Sequence, residues 1–335
     1  MTVPPPDRVT VLFIGGLGRS GSTLLDLMLG QIPGFCAVGE LSYLWARTDD
    51  DLCGCGEPFS RCPFWGKVGD AAFGGWHRID RSEVATLRSE VDRNRRAARL
   101  ILPGAHEGST LEGRYARLLG DLYHGVAAAS GASVVVDSTK HLSTALLLRT
   151  VPGVDLRVVH LVRDSRGVAN SWTKRVPKTW IAGREVYMDR YPPLRTSLRW
   201  LGYNVGFHVL RAAGTPMIRM RYEDLVVDPV EEIGRALSLA GAPPTDAPFL
   251  AGRRLRLARV HTIGGNPVRF GTDALELRRD EGWRTDLDPK QRVIVTSLTL
   301  PLLAAYGYLR DAGRRGGRSE PRESGSKEDD ANPTT

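Results

Sequence analysis

A loop of small and hydroxyl-bearing residues follows an apolar segment near the N-terminus. Val11 to Gly15 is mostly apolar with β propensity, GLGRSGST occupies residues 16–23, and leucines then recur at helical spacing up to Leu29. The pattern predicts a strand, a glycine-rich loop and a helix. Because the first N–H groups of a helix lack intrahelical partners, such a junction suits an anionic phosphate, and Arg19 adds a fixed positive charge.

Two common phosphate-binding motifs fit this loop in part. Gly16 and Gly21 have the spacing of a Walker A loop, but Ser22 stands where that motif has its lysine. Gly16, Gly18 and Gly21 also fit G-x-G-x-x-G, and Glu40 follows at about the distance that a dinucleotide-binding fold requires. A glycine-rich turn without a ligand is the remaining alternative.

The acidic residue Glu40 follows a second short apolar segment. Phe35 to Val38 could form a strand that delivers Glu40 near the mouth of the loop. Alternatively, the same carboxylate begins the helix ELSYLWAR, where a first-turn negative charge is favourable. Local sequence leaves both interpretations open.

Polar residues also follow a third apolar segment, Ser133 to Val136, which leads into DSTKH. In open α/β sheets, ligands bind at the carboxyl ends of the strands, so Lys140 could neutralise a transferring group there. The alternative is an ordinary turn in which Ser138 or Thr139 caps the next helix.

The clearest buried strand is RVVHLV, residues 157–162, and Arg163 comes directly after it. Ser171 and Arg175 are four residues apart and would share one face of the following helix, directed back toward Arg163. Two guanidinium groups and a hydroxyl would surround a second phosphate. A solvated basic helix is the alternative.

Two later segments supply further candidates. The strand Met217 to Met220 ends close to Tyr222, which could face a nucleotide or be a half-buried core tyrosine. The glycine-rich stretch of residues 260–271 has little periodicity, which is typical of a flexible lid or an ordinary surface loop. Arg269 in this stretch would be available for phosphate.

Three closely spaced cysteines, Cys53, Cys55 and Cys62, form the pattern C-x-C-x6-C. They suggest a metal site that lacks one visible ligand, for which His77 is a candidate, although a disulfide or buried thiols would also explain them. The spacing matches no common zinc pattern, so we assign no metal. We interpret residues 49–80 as a loop-rich insertion that covers the substrate side.

The chain of 335 residues carries a net charge of +8, which suits an anionic ligand but also nucleic acid or a membrane surface. It has no apolar run long enough to cross a bilayer and no signal-peptide pattern, so we expect a cytoplasmic protein. We expect residues 1–8 and the polar tail 313–335 to be disordered and residues 9–312 to form one domain.

Together these segments resemble the sulfotransferase family that uses 3′-phosphoadenosine 5′-phosphosulfate (PAPS), in particular the branch with the tyrosylprotein enzymes and many bacterial members. GRSGSTLL resembles the 5′-phosphosulfate loop, and Arg163, Ser171 and Arg175 fit the 3′-phosphate motif. Glu40 stands at a spacing from Arg19 similar to that of the family's catalytic base. RYEDLVVDP, at residues 221–229, is also a familiar segment of the family.

The resemblance implies an α/β, P-loop-containing nucleotide-binding fold, with a central mostly parallel sheet flanked by helices and with helical and cysteine-containing insertions in one domain. It implies in-line transfer of the sulfuryl group of PAPS to a hydroxyl or amine, without a required metal. Glu40 would accept the proton, and Arg19 and Lys140 would hold the developing charge. The predicted cofactor-binding residues are Arg19, Ser20, Gly21, Ser22, Thr23, Leu24, Arg163, Ser171, Arg175, Tyr222 and Arg269.

Other functions remain open at this stage. An NAD(P)-dependent oxidoreductase would use the G-x-G-x-x-G loop but would leave the two arginines and Ser171 unexplained. A P-loop kinase is disfavoured by Ser22, and a nucleotide-binding module without activity would bind the cofactor and transfer nothing. The cysteine insertion is foreign to the tyrosylprotein branch, so the acceptor stays open among small molecules, carbohydrates, lipids and peptides. We expect no nucleic-acid partner.

Overall fold

The computed structural model describes residues 8–94, 97, 100, 110–181, 183, 185–271 and 274–309. Apart from Arg8, the predicted disordered start lies outside the described residues, and so does the predicted tail. The chain divides into two compact units, residues 1–299 and residues 300–335. The first unit contains the central sheet and every candidate site residue.

Five parallel strands form the central sheet in the order β2-β3-β1-β4-β5. The first strand of the chain is therefore the middle strand of the sheet, and Thr10 pairs with Val134 on one side and Asp155 on the other. The strands are β1 Val9–Gly15, β2 Phe35–Gly39, β3 Val134–Lys140, β4 Val154–Val162 and β5 Met217–Arg221. A small antiparallel sheet contains β6 Leu250–Ala251, β7 Arg254–Leu255 and β8 Leu275–Glu276.

Helices cover both faces of the central sheet. The helices in the described part of the chain are α1 Ser22–Leu29, α2 Pro63–Phe73, α3 Arg81–Val91, α4 Leu111–Ser130, α5 Leu142–Leu148, α6 Ser165–Thr173, α7 Pro193–Ala212, α8 Tyr222–Leu225, α9 Pro229–Ala240, α10 Trp283–Asp286 and α11 Pro289–Ala305. Short 3-10 helices span Leu41–Ala46, Phe59–Arg61, Trp76–Arg78 and Pro267–Phe270.

The central strand is apolar on both faces because each face packs on its own hydrophobic core. Val11 and Phe13 belong to a cluster shared with α4, whereas Leu12 and Ile14 belong to a second cluster shared with α1 and α9. Parallel strands covered on both faces read as continuous apolar runs. This explains why VTVLFIG shows no alternation and why β1 could be predicted from sequence.

The strand order bears on the dinucleotide interpretation. In a dinucleotide fold, β2 lies next to β1, so that the acidic residue at its end reaches the ribose. Here β3 lies between them. Glu40 follows β2 and is therefore one strand further from the glycine loop, which disfavours the oxidoreductase.

The cysteine-containing insertion is less loop-rich than predicted, since it contains the helix α2. This helix crosses α4 closely: a Cβ atom on Gly125 would lie only 2.6 Å from the Cβ atom of Ala72. Among the helices in the described part of the chain, none has both the length and the apolar character needed to cross a lipid bilayer.

Candidate active site

The carboxyl ends of all five central strands lie at one edge of the sheet, and a cavity of about 630 Å³ opens there. In an open α/β sheet this edge, beside the point where the strand order reverses, is the position expected of a ligand. Most of the predicted site residues line the cavity. These are Arg19, Gly21, Ser22, Thr23, Leu24, Glu40, Lys140, Arg163, Ser171 and Tyr222.

The loop after β1 presents the amino end of α1 to this cavity. Helix α1 begins at Ser22 after Gly21, whose φ of 93° lies in the left-handed region, and no side chain caps the helix. The first N–H groups of the helix are thus left for a ligand. A Cβ atom on Gly21 would lie 2.5 Å from the Tyr222 ring, so glycine is required for space as well as for φ.

Arg19 lies in the same loop with a left-handed backbone, at φ 74°. Its guanidinium lies 5.4 Å from the centroid of the Trp172 ring, and Trp172 donates its indole N–H to the carbonyl oxygen of Gly18 at 3.0 Å. The Nη2 atom of Arg19 is buried and has no hydrogen-bond partner among the described residues. Burial lowers the pKa of Arg19, and the negative charge of Glu40 opposes that shift. A buried unpaired donor and a strained backbone are features of a site built for an anion.

Glu40 and Lys140 meet across the end of the sheet. The Nζ atom of Lys140 lies 2.6 Å from Oε1 of Glu40 and donates to the carbonyl oxygen of Ser138 at 2.9 Å. Lys140, at φ 75°, is the second non-glycine residue with a left-handed backbone in the described part of the chain. Both side chains are largely buried, and both line the cavity. A carboxylate and an ammonium group are thereby held together at the cavity wall.

Buried carboxyl groups lie behind this pair. Asp137, in the middle of β3, accepts hydrogen bonds from the Thr139 N–H at 2.7 Å and from the Tyr123 hydroxyl. Burial raises the pKa of Asp137 to about 6. Burial also raises the pKa of Asp26 on α1, and the neighbouring charge of Asp137 adds to that shift.

Arg163 connects the glycine loop to the second predicted phosphate site. One of its N–H groups donates to the carbonyl oxygen of Arg19 at 2.9 Å, and its guanidinium lies 4.7 Å from the centroid of the Tyr222 ring. Its Nη2 atom also makes an ion pair of 2.8 Å with Asp280. Asp280 is partly exposed, and the arginine lowers its pKa. Asp280 therefore occupies part of the guanidinium edge of Arg163.

The prediction that Ser171 and Arg175 share one face of a helix is wrong. Helix α6 ends at Thr173 and the chain continues in an extended conformation, so Arg175 is not one turn beyond Ser171. The exposed guanidinium of Arg175 instead lies 3.7 Å from the centroid of the Tyr187 ring, whereas Ser171 lines the cavity with Arg163. The break in the helix removes Arg175 from this group.

Arg269 is also placed differently from the prediction. It is only 3% exposed and is not among the described residues that line the cavity. Its guanidinium donates to the carbonyl oxygens of Thr262 and Leu52, the latter at 3.1 Å. Burial lowers the pKa of Arg269 to about 10. Arg269 thus braces two loops rather than facing a phosphate. Ser20, another predicted contact, is buried within the glycine loop.

Sequence reasoning missed several residues of the cavity wall. Asn266 donates its backbone N–H to Thr23 Oγ1 at 3.1 Å, which brings the loop after residue 260 over the amino end of α1. Tyr43, Asp280 and Arg199 also line the cavity. Each lies in a segment without a recognisable motif. Contacts between distant segments bring these residues to the cavity, and the sequence alone does not show such contacts.

The cysteine cluster gains a fourth member from a distant segment. Cys53, Cys55 and Cys62 lie together with His261, each offering one ligand atom within 4.8 Å of the others. The choice of His77 was wrong, because this residue lies in the 3-10 helix Trp76–Arg78, outside the group. No spacing rule links His261 to the cysteines, so the sequence could not identify it.

Comparisons with known proteins give one family match. A model of the sulfotransferase family matches residues 12–246. No curated protein sequence matches the chain.

Three solved structures resemble the chain at low identity. The sulfotransferase domain of the Synechococcus PCC 7002 olefin synthase is 18% identical with a TM-score of 0.48, covering 90% of this chain and 97% of that one. The sulfotransferase domain from the curacin biosynthetic pathway is 16% identical with a TM-score of 0.43, covering 87% and 98%. Sulfotransferase STF1 from Mycobacterium tuberculosis H37Rv is 16% identical with a TM-score of 0.40, covering 72% and 69%.

Proposed function

The chain belongs to the sulfotransferase family, and from this premise we propose that it transfers the sulfuryl group of PAPS to a hydroxyl or amine of an acceptor. The observation that carries the proposal is the placement of two separate basic positions on one cavity. Arg19 and the open end of α1 form the first, and Arg163 with Ser171 forms the second. PAPS carries a 5′-phosphosulfate and a 3′-phosphate, and each of these positions would bind one of its two charged ends.

The residues present fit such a donor. Arg19 contributes a buried guanidinium nitrogen without a partner, and the N–H groups at Ser22 and Thr23 belong to an uncapped helix end. Arg163 contributes a planar guanidinium supported by the Tyr222 ring, a geometry suited to bidentate binding of phosphate. When bound, PAPS supplies an activated sulfuryl group.

The Glu40–Lys140 pair would carry the proton and charge chemistry. As the acceptor oxygen or nitrogen bonds to sulfur and the bond from sulfur to the phosphate oxygen breaks, Glu40 takes the acceptor's proton. Lys140 and Arg19 stabilise the negative charge that develops on the transferring group and the departing phosphate. Transfer of this kind depends mainly on positioning and charge neutralisation.

The test is calorimetric binding of 3′-phosphoadenosine 5′-phosphate (PAP), compared with 5′-AMP, ATP and NAD. We expect a strong preference for PAP that Arg163→Ala reduces by about ten- to a hundred-fold, since a hydrogen bond to a charged group contributes about 1.5–3 kcal/mol. Arg175→Ala is the matched control and should bind PAP like the wild type. Preference for NAD or ATP, or equal losses in both variants, would overturn the proposal.

A further inference from the structure

Three sulfur atoms and one imidazole nitrogen lie together beside the candidate active site. The Cys62 sulfur lies 3.7 Å from that of Cys53 and 3.8 Å from that of Cys55. Nδ1 of His261 lies 3.3 Å from the Cys62 sulfur and 3.8 Å from the Cys53 sulfur. The Cys55 sulfur lies within 4.8 Å of the other two ligand atoms as well, so the four atoms form one compact group.

The four measured distances are close to the edges of a tetrahedral zinc site. With Zn–S bonds of about 2.3 Å and Zn–N bonds of about 2.0 Å, the sulfur–sulfur edges are about 3.8 Å and the sulfur–nitrogen edges about 3.5 Å. A disulfide would use two of the sulfurs and leave the third sulfur and His261 without a role. We propose that Cys53, Cys55, Cys62 and His261 bind one structural zinc ion.

Backbone hydrogen bonds close the chain around the first two cysteines. The Cys53 N–H donates to the carbonyl oxygen of Glu57 at 2.8 Å, and the Gly56 N–H donates to that of Cys53 at 2.9 Å. The sulfurs of Cys53 and Cys55 are thereby held on one tight turn.

Packing fixes the histidine and shields the site. The Phe64 ring stacks on His261 with ring centroids 4.8 Å apart and planes 15° from parallel. Cys53 and Cys62 are buried, so solvent has little access to two of the sulfurs. Four protein ligands complete the coordination of zinc and leave no position for a substrate. The ion therefore has a structural role.

The position of His261 indicates what the ion would hold in place. Two residues later, Ile263 accepts a hydrogen bond from the Glu40 N–H at 2.6 Å and donates its own N–H to the carbonyl oxygen of Val38 at 2.8 Å. Gly54, between the first two cysteines, donates its N–H to the carbonyl oxygen of Thr262 at 3.0 Å. The zinc ion would thus fasten the insertion to the loop that aligns the backbone of Glu40.

Arg269 completes this connection. It donates to the carbonyl oxygen of Leu52, which precedes the first cysteine, and to that of Thr262, which follows the histidine. A buried guanidinium and a zinc ion would then join the same two segments side by side. This gives Arg269 a role without contact to the nucleotide.

The first measurement is the zinc content of the full-length chain, purified under reducing conditions without chelator. We expect about one zinc per chain, and Cys62→Ser and His261→Ala should lose most of it. Cys36→Ser is the matched control, because Cys36 is the one cysteine outside the cluster, and it should keep the zinc. His261→Cys, which preserves four ligands, should also retain the ion and shows that the loss in His261→Ala is not mere misfolding.

Cobalt substitution tests the geometry in the wild-type protein. The exchanged protein should show the intense visible bands of tetrahedral Co²⁺ and an ultraviolet thiolate charge-transfer band. Hydrogen exchange of the peptide that contains Ile263 should then accelerate by about tenfold or more when the metal is removed, whereas that of β4 should not change. A reduced protein that takes up neither zinc nor cobalt, or a disulfide between two of these cysteines in the freshly purified chain, would overturn the proposal. None of these readouts depends on the sulfuryl donor proposed above.

Discussion

The ammonium group of Lys140 lies 2.6 Å from a carboxylate oxygen of Glu40, although Lys140 ends β3 and Glu40 follows β2. No sequence motif near either residue predicts this contact. The contact arises because β2 and β3 are neighbours whose carboxyl ends lie at the same edge. It places a proton acceptor and a positive charge in one position on the cavity wall.

Replacing the carboxylate with an amide should separate catalysis from binding. Glu40→Gln keeps the size of the side chain but removes its basicity, so turnover with any acceptor should fall by about 10²- to 10⁴-fold. Calorimetry should show PAP affinity no weaker than that of the wild type, since Glu40 is not proposed to contact PAP and its negative charge opposes a bound anion. If Glu40 and Lys140 act as a unit, the double variant Glu40→Gln with Lys140→Met should be about as slow as the slower single variant. Full activity of Glu40→Gln would assign the base elsewhere.

Asp280 should compete with the 3′-phosphate for Arg163. Asp280→Asn removes the carboxylate of the 2.8 Å ion pair, and PAP affinity should rise by up to about fivefold, the contribution of a partly exposed pair. Asp286→Asn is the matched control: this carboxylate has similar exposure, lies 3.6 Å from Lys174 and is not among the described cavity residues. Weaker PAP binding in Asp280→Asn would mean that the carboxylate orients Arg163 instead.

Gly21 should not tolerate a side chain. In Gly21→Ala the new methyl group would overlap the Tyr222 ring at a φ of 93°, so we expect a loss of about 1–2 kcal/mol in the free energy of unfolding. PAP binding should weaken as well, because Tyr222 supports Arg163.

Gly202→Ala is the control. This glycine is exposed within helix α7, and no described atom beyond its chain neighbours and the adjacent helix backbone lies within 4 Å of the added Cβ position, so alanine should stabilise the protein by about 0.5–1 kcal/mol. Urea unfolding and calorimetry measure both effects.

Asp137 should make stability depend on pH in a known direction. Burial raises its pKa from 3.8 to about 6, so the native carboxyl retains a proton that the unfolded chain has released. The contribution of Asp137 to the free energy of unfolding should therefore fall by on the order of 3 kcal/mol between about pH 4 and pH 7. Asp137→Asn lacks this contribution but keeps an oxygen for the Thr139 N–H.

Urea unfolding of both proteins across that interval measures the effect of Asp137 as the difference between two curves. Asp26, Lys140 and Tyr123 surround Asp137 and are present in both proteins. Subtraction therefore removes most of their contribution. A difference that stays constant with pH would contradict the prediction.

Local sequence could predict the parts of the site that lie within one strand–loop–helix unit. The β1 strand, the loop with Arg19 and the helix α1 form a contiguous segment, and the family resemblance built on it is confirmed by the match over residues 12–246. Glu40 and Lys140 were singled out because each follows an apolar strand. The fold class followed from the same alternation of strands and helices.

The remaining parts depend on contacts that sequence patterns do not record. Asp280 reaches Arg163, and His261 reaches the cysteines, across long separations that no periodicity encodes. The prediction for Arg175 failed for a different reason. Residues four apart share a helical face only while the helix continues, and α6 ends at Thr173. The prediction that Arg269 binds phosphate failed because the charge of a residue does not show whether its side chain is buried. The partners of Arg269 are backbone carbonyl groups.

The parallel bridge between Gly39 and Ile263 has a consequence for the order in which the protein is made. The phosphate loop and Glu40 leave the ribosome early, whereas the backbone acceptor for the Glu40 N–H belongs to a segment translated much later. All five strands of the central sheet are synthesised before Ile263, so the Glu40 N–H can find this acceptor only after the sheet segments have emerged. A nascent chain shorter than residue 263 would thus lack the completed cavity edge, and the late segment makes completion of the site one of the last steps of biosynthesis.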